Sequence, residues 1–191
     1  MGEFIKMTCI IGIVKTLEDG TKRIVMGGDS AATSSQDQVI LHDDKVFTNG
    51  PYIMGHTWTY RMGQLLRYAF TPPIPNENED VKAFLCTKFI HELKKCFAEN
   101  GWLQKEKEQE SGGIFLLGYK DRLFKIQPDF SVLESVDEYA ACGSGENIAL
   151  GSLYSTKDKP LNKRIILALE ASERYCCSVR RPFKIVENLL K

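Results

Sequence analysis

The chain has 191 residues, enough for one domain that buries about 70% of its unfolded surface. Lysine plus arginine equals aspartate plus glutamate at 25 each, so no electrostatic argument favours nucleic acid or an anionic membrane as partner. No apolar run approaches the roughly 18 residues that span a bilayer, the opening stretch has no hydrophobic signal core, and the cysteines are spaced for neither a zinc knuckle nor a disulfide framework; a cytoplasmic protein with reduced thiols, no metal and no organic cofactor is expected.

Residues 8–14 (TCIIGIV) are apolar and β-branched, as a buried strand is. An Asp-Gly turn near Asp19 leads into a returning strand, 22–28. Short strands are expected at 39–41, 45–47 and 52–55. The period then changes: Met62, Leu65, Leu66 and Ala69 recur at helical spacing until the prolines at 72, 73 and 75. Asp80 can cap a second helix, 81–99, whose apolar face runs from Phe84 to Phe97, and Asn100-Gly101 closes it. The charged run 104–110 reads as a solvated loop or helix end. Strand patterns return at 113–119, 123–126, 131–133 and 139–142, followed by helices at 148–154 and 161–175 and a last strand at 183–186. Segregated runs of strands and helices imply an α+β domain in which two antiparallel sheets face each other and each carries helices outside.

Three residues suggest chemistry. A threonine at the start of the first strand is a nucleophile if its own α-amine is free, because an amine with a pKa near 8 accepts the hydroxyl proton at neutral pH. A lysine nearby would lower that pKa and stabilise the deprotonated hydroxyl. An aspartate would hold the lysine. Thr8, Lys45 and Asp29 fill these roles. The histidines at 42, 56 and 91 occupy unrelated contexts and make no comparable Ser/His/Asp set.

The order of these motifs resembles the proteasome-type N-terminal-nucleophile hydrolases. TCIIGIV from Thr8 is similar to the opening strand of proteasome β subunits and of the bacterial heat-shock protease subunit. GGDSAAT, containing Asp29, resembles the family's Gly-Asp-Ser-x-Ala-Thr turn, and Lys45 follows after the same interval of 16 residues. MGHT, ending at Thr57, falls where the family has its oxyanion turn, and the Gly-Ser-Gly turn at 143–145 matches the one whose serine contacts the terminal amine. The Lys-Val-Phe and RMGQLL stretches look closer still to small uncharacterised proteasome-like proteins of bacteria and phages.

The resemblance implies a four-layer αββα sandwich and threonine-type peptide or amide hydrolysis. Thr8 would be nucleophile and general base, Lys45 would tune it, Asp29 would hold Lys45, Ser144 would position the amine or a water, and a backbone amide near Thr57 would meet the oxyanion. It also implies peptide or protein substrates, a homo-oligomer of ring type and an ATP-dependent unfoldase as partner. The alternative is a non-catalytic structural or interaction subunit of the same fold. Residues 1–7 are expected to be a leader, tag or propeptide and 8–191 a single domain; translation from Met7 with loss of that methionine is favoured over autocatalytic cleavage and over retention. Near the C-terminus the family's Asp is missing, and Cys176 or Arg174 stands in its place. Cys9 is rejected as nucleophile because a one-residue slip turns a strand side chain to the other face. Removing Lys45 is expected to leave folding nearly intact.

Overall fold

The computed structural model describes residues 8–33 and 37–188. The expectation for residues 1–7 falls outside them.

Two antiparallel sheets dominate. The first has the order β12 (Tyr139–Gly143), β1 (Cys9–Thr16), β2 (Lys22–Gly28), β13 (Lys184–Glu187). The second runs β11 (Val132–Glu134), β10 (Arg122–Ile126), β9 (Phe115–Tyr119), β6 (Tyr52–His56), β5 (Val46–Asn49). The β1–β2 hairpin follows from its turn: Asp19 Oδ1 accepts from the Thr21 amide at 2.9 Å, and Gly20 takes φ +81°.

Three apolar clusters explain why these strands are apolar on both faces. Side chains alternate along β1. Cys9, Ile11 and Ile13 pack with Ile165, Ala168 and Leu169 on the helix side, α4 (Glu146–Ser155) and α5 (Leu161–Tyr175). Ile10 and Val14 point the other way and join Ile24, Met26, Val46, Ile53, Leu116 and Leu123 between the two sheets. A third cluster, including Tyr52, Met54, Leu117 and Phe124, seals the far face of the second sheet against helices carrying Leu66, Phe89, Leu93 and Phe97.

Those helices are less regular than the sequence suggests. α1 (Tyr60–Gln64) is capped by Thr59, whose side chain accepts from the Met62 amide, and continues as a π-helical turn over Leu65–Ala69. α2 (Val81–Phe84), capped by Asp80 as expected, passes through a second π-helical stretch, Leu85–Phe89, into α3 (Ile90–Glu99). The charged run expected as a loop or helix end forms a small hairpin, β7 (Gln104–Glu106) with β8 (Gln109–Ser111). Lys107 at φ 55° makes its turn, so the polar strands pair with each other at the surface. A further hairpin, β3 (Ala31–Thr33) with β4 (Gln38–Ile40), follows directly on Asp29.

Candidate active site

Thr8 immediately precedes β1, on the side of the strand that faces the other sheet. Cys9, one position on, points away into the helix-side cluster. Burial there pushes the Cys9 thiol up to about 12, only partly offset by its hydrogen bond to Ser172. It is neither exposed nor ionised, in keeping with its rejection as nucleophile.

Asp29 lies just past the end of β2 and Lys45 just before β5. These strands belong to opposite sheets, and the inter-sheet packing of Met26 against Val46 brings their ends together. The Thr8 hydroxyl donates to Asp29 Oδ1 at 2.9 Å and accepts from Lys45 Nζ. Lys45 Nζ also pairs with Asp29 Oδ1 at 3.0 Å and donates to the Ala31 carbonyl at 2.6 Å. Asp29 is fixed further by the amides of Cys9 at 3.0 Å, Ala31 at 2.9 Å and Arg180 at 3.4 Å. All three side chains are buried. Burial draws the Lys45 ammonium below the ordinary lysine value despite the charge of Asp29 beside it.

On its other side Thr8 meets the turn after β12. The Thr8 nitrogen donates to Ser144 Oγ at 3.2 Å, and Ser144 Oγ donates to the Thr8 carbonyl at 3.2 Å. Gly143 makes this approach feasible. It sits at φ +101°, and a Cβ there would fall 2.3 Å from the Thr8 carbonyl oxygen. Thus Thr8, Asp29, Lys45 and Ser144 are brought together.

Thr57 is near but differently engaged. Together with Thr8, Lys45, His56, Trp58, Thr59 and Tyr60 it lines a shallow cleft. Its own amide donates to the Ile114 carbonyl at 3.2 Å, so it is not free for an oxyanion. The following amide, that of Trp58, makes no hydrogen bond among the described residues, and Trp58 adopts φ 78°. Which amide a strand uses for its ladder depends on tertiary register, and the sequence carries no signal for it.

Four further residues touch the site. Tyr60 Oη donates to the Ala31 carbonyl at 2.9 Å, sharing that acceptor with Lys45. His56 is buried, and desolvation, with the charges of Lys45 and Arg67, pulls its pKa down to about 3; the ring is neutral. Cys176 and Ser178 stand against Ser144. The missing family Asp pointed to Cys176. Arg174, the alternative, lies in the last turn of α5. Among the described residues no His, Cys, Asp and Glu side chains gather as a metal site.

The architecture is the mixed α/β fold of the proteasome-type N-terminal-nucleophile hydrolases. Solved structures sharing it include BPH of Thiobacillus denitrificans in complex with epoxomicin, 19% identical with a TM-score of 0.76, covering 95% of this chain and 99% of that one. Thiobacillus denitrificans BPH appears again at 18% identity and TM-score 0.75, covering 95% and 98%. Eukaryotic HslV from Trypanosoma brucei is 14% identical with a TM-score of 0.63, covering 94% and 98%. Likeness at these identities speaks to fold alone. No family profile and no curated protein matches the chain.

Proposed function

We propose that the chain is a threonine-type peptidase or amidohydrolase that transfers an acyl group from an amide to Thr8 and then to water. The observation that carries this is the junction of the Lys45 ammonium and the Asp29 carboxylate on the Thr8 hydroxyl, beside an open cleft.

The reaction follows from the groups present once the Thr8 nitrogen is a free amine. That amine takes the hydroxyl proton, and Thr8 Oγ1 attacks the substrate carbonyl carbon. Lys45 is already aimed at the oxygen where negative charge would develop, and Asp29 holds it there. The Trp58 amide is the available donor for the oxyanion. The C–N bond breaks as the protonated Thr8 amine returns its proton to the leaving nitrogen. Water activated by the same amine then hydrolyses the ester. Ser144 fixes the amine throughout.

Backbone strain supports a cut before Thr8. The residue stands at φ 135°, an outlying value for a β-branched side chain. That torsion exists only while a peptide bond precedes it, so cleavage removes the strain and creates the base in one event. With the resemblance, the same reading extends to peptide or protein substrates, a homo-oligomeric ring, an unfoldase partner and a cytoplasmic setting. None of the described helices is long and apolar enough to cross a membrane.

The test combines intact mass with covalent labelling. Protein expressed from its natural start should have a mass beginning at Thr8 and should form an adduct with epoxomicin, the ligand of the neighbouring structure. Thr8→Ala should abolish the adduct and reduce peptide-amide hydrolysis by ~10³-fold or more. A retained leader with no adduct would leave an amide that cannot act as base, and the chain would then be a non-catalytic module.

A further inference from the structure

The segment after α5 places a thiol where it controls the Ser144 hydroxyl. Cys176 caps the helix: its amide donates to the Ser172 carbonyl at 2.8 Å. Its Sγ lies 3.2 Å from Ser144 Oγ and 3.2 Å from Ser178 Oγ, while the two serine oxygens are 2.6 Å apart. Ser144 in turn accepts from the Thr8 nitrogen. These three side chains form a closed triangle with one corner on that nitrogen.

Counting protons limits the directions these bonds can take. A serine hydroxyl has one proton and two lone pairs. Here the Thr8 nitrogen and the Cys176 thiol both donate to Ser144. Both lone pairs are then used, and the single proton goes to the Thr8 carbonyl or to Ser178. A thiol can act as donor in this position; a carboxylate, which only accepts when ionised, would make Ser144 turn its proton toward it.

Charge makes a second difference. Asp29 and Lys45 face Thr8 from the ends of β2 and β5, His56 and Tyr60 from β6 and α1, and Cys176 and Arg180 from the segment after α5. The Asp29 carboxylate is committed to Lys45, the Thr8 hydroxyl and three amides. His56 is neutral and the Arg180 guanidinium is turned to the carbonyls of Glu173, Cys176 and Val179. On the Ser144 side the described residues offer the nitrogen hydroxyls and a thiol.

We propose that Cys176 is a positioning residue for the Thr8 nitrogen: acting through Ser144, its thiol holds a hydroxyl lone pair toward that nitrogen without setting a carboxylate beside it. The inference rests on the hydrolase reading above. Its consequence is that the amine stays in its basic form at lower pH than it would beside a carboxylate.

The experiment measures the rate of epoxomicin adduct formation against pH for the mature protein and for C176S, C176A and C176D, each first shown to be folded by its thermal melt. C176S keeps a donor hydroxyl and should stay within about threefold of the parent, with the acid limb unmoved. C176A should slow the reaction about tenfold, in line with the loss of one oriented hydrogen bond. C176D should move the acid limb up by about one pH unit, because an adjacent carboxylate favours the ammonium form. C176A matching the parent in rate and limb, C176S failing to rescue where C176A is slow, or C176D leaving the limb in place would each overturn the proposal. Absence of any adduct in the parent with Thr8 at its N-terminus would instead remove the hydrolase reading, and Cys176's role with it.

Discussion

The ion pair beneath Thr8 is almost wholly withdrawn from water, with Lys45 and Asp29 side chains 3% and 0% exposed. Desolvating both charges costs several kcal/mol per ion, and their attraction recovers this only in good geometry. The downward pull on the Lys45 pKa shows desolvation outweighing attraction. Removing one partner is therefore worse than removing both. Lys45→Ala should cost about 3 kcal/mol, because Asp29 keeps its charge and loses its cation. This corrects the expectation of nearly intact folding, which treated the lysine as partly buried. The pair Lys45→Met with Asp29→Asn should recover only part of that loss in denaturant midpoints, because the asparagine amide group must face an N–H that the carboxylate accepts from, while neither form labels with epoxomicin. Lys45→Arg should also fail to label: a planar guanidinium cannot place one proton donor between Thr8 Oγ1, Asp29 and the Ala31 carbonyl.

At the scale of elements, the site depends on how closely β12 passes Thr8. A side chain on Gly143 would collide with backbone, which cannot swing aside, and would sit at a φ that side chains avoid. Gly143→Ala should thus lose a few kcal/mol and most labelling, measured by melt and by intact mass. Gly55 poses a different constraint, since its Cβ would meet Ile10 Cγ2 at 2.4 Å between the sheets. Gly55→Ala should cost 1–3 kcal/mol through overpacking, roughly, with labelling retained once folded. These local demands were partly legible in advance. Apolar alternation and turn chemistry marked β1, β2, β6, β9 and β10, and an ordered set of weak motifs marked Thr8, Asp29, Lys45 and Ser144. The π-helical stretches were not legible, because they change a helix's hydrogen bonding without changing its apolar period. Nor was the β7–β8 hairpin, whose polar strands bury nothing that would leave a two-residue period. The free Trp58 amide and the contact of Ser178 with Ser144 depend on tertiary register, which leaves no local pattern.

Across the whole molecule, acid should be the condition that loosens α1 from the second sheet beside the site. His56 ends β6, is buried against Gly63 and the Tyr60 ring, and its Nδ1 has no hydrogen-bond partner. Its pKa falls from 6.5 to about 3 because the charged ring would be desolvated near Lys45 and Arg67. The folded state therefore binds fewer protons at this position than the unfolded chain. A depressed histidine gives stability that is present above the unfolded value and is lost as pH falls through the window from 6.5 to about 3. At about 1.4 kcal/mol per pH unit the loss amounts to ~4 kcal/mol by the lower end. Lys45 acts in the same sense at higher pH: with its folded pKa below 10.5, its contribution grows as pH rises toward that value. Denaturant melts of the parent should show unfolding free energy falling steeply below pH 6.5. His56→Asn, which cannot take up a proton, should lower stability at pH 7 by roughly 1–3 kcal/mol through imperfect packing. It should also flatten the acid limb, so that the two curves meet near about pH 5 and cross below it. Parallel curves would assign the acid sensitivity to the carboxylates, and His56 would then be no more than a packed ring between β6 and α1.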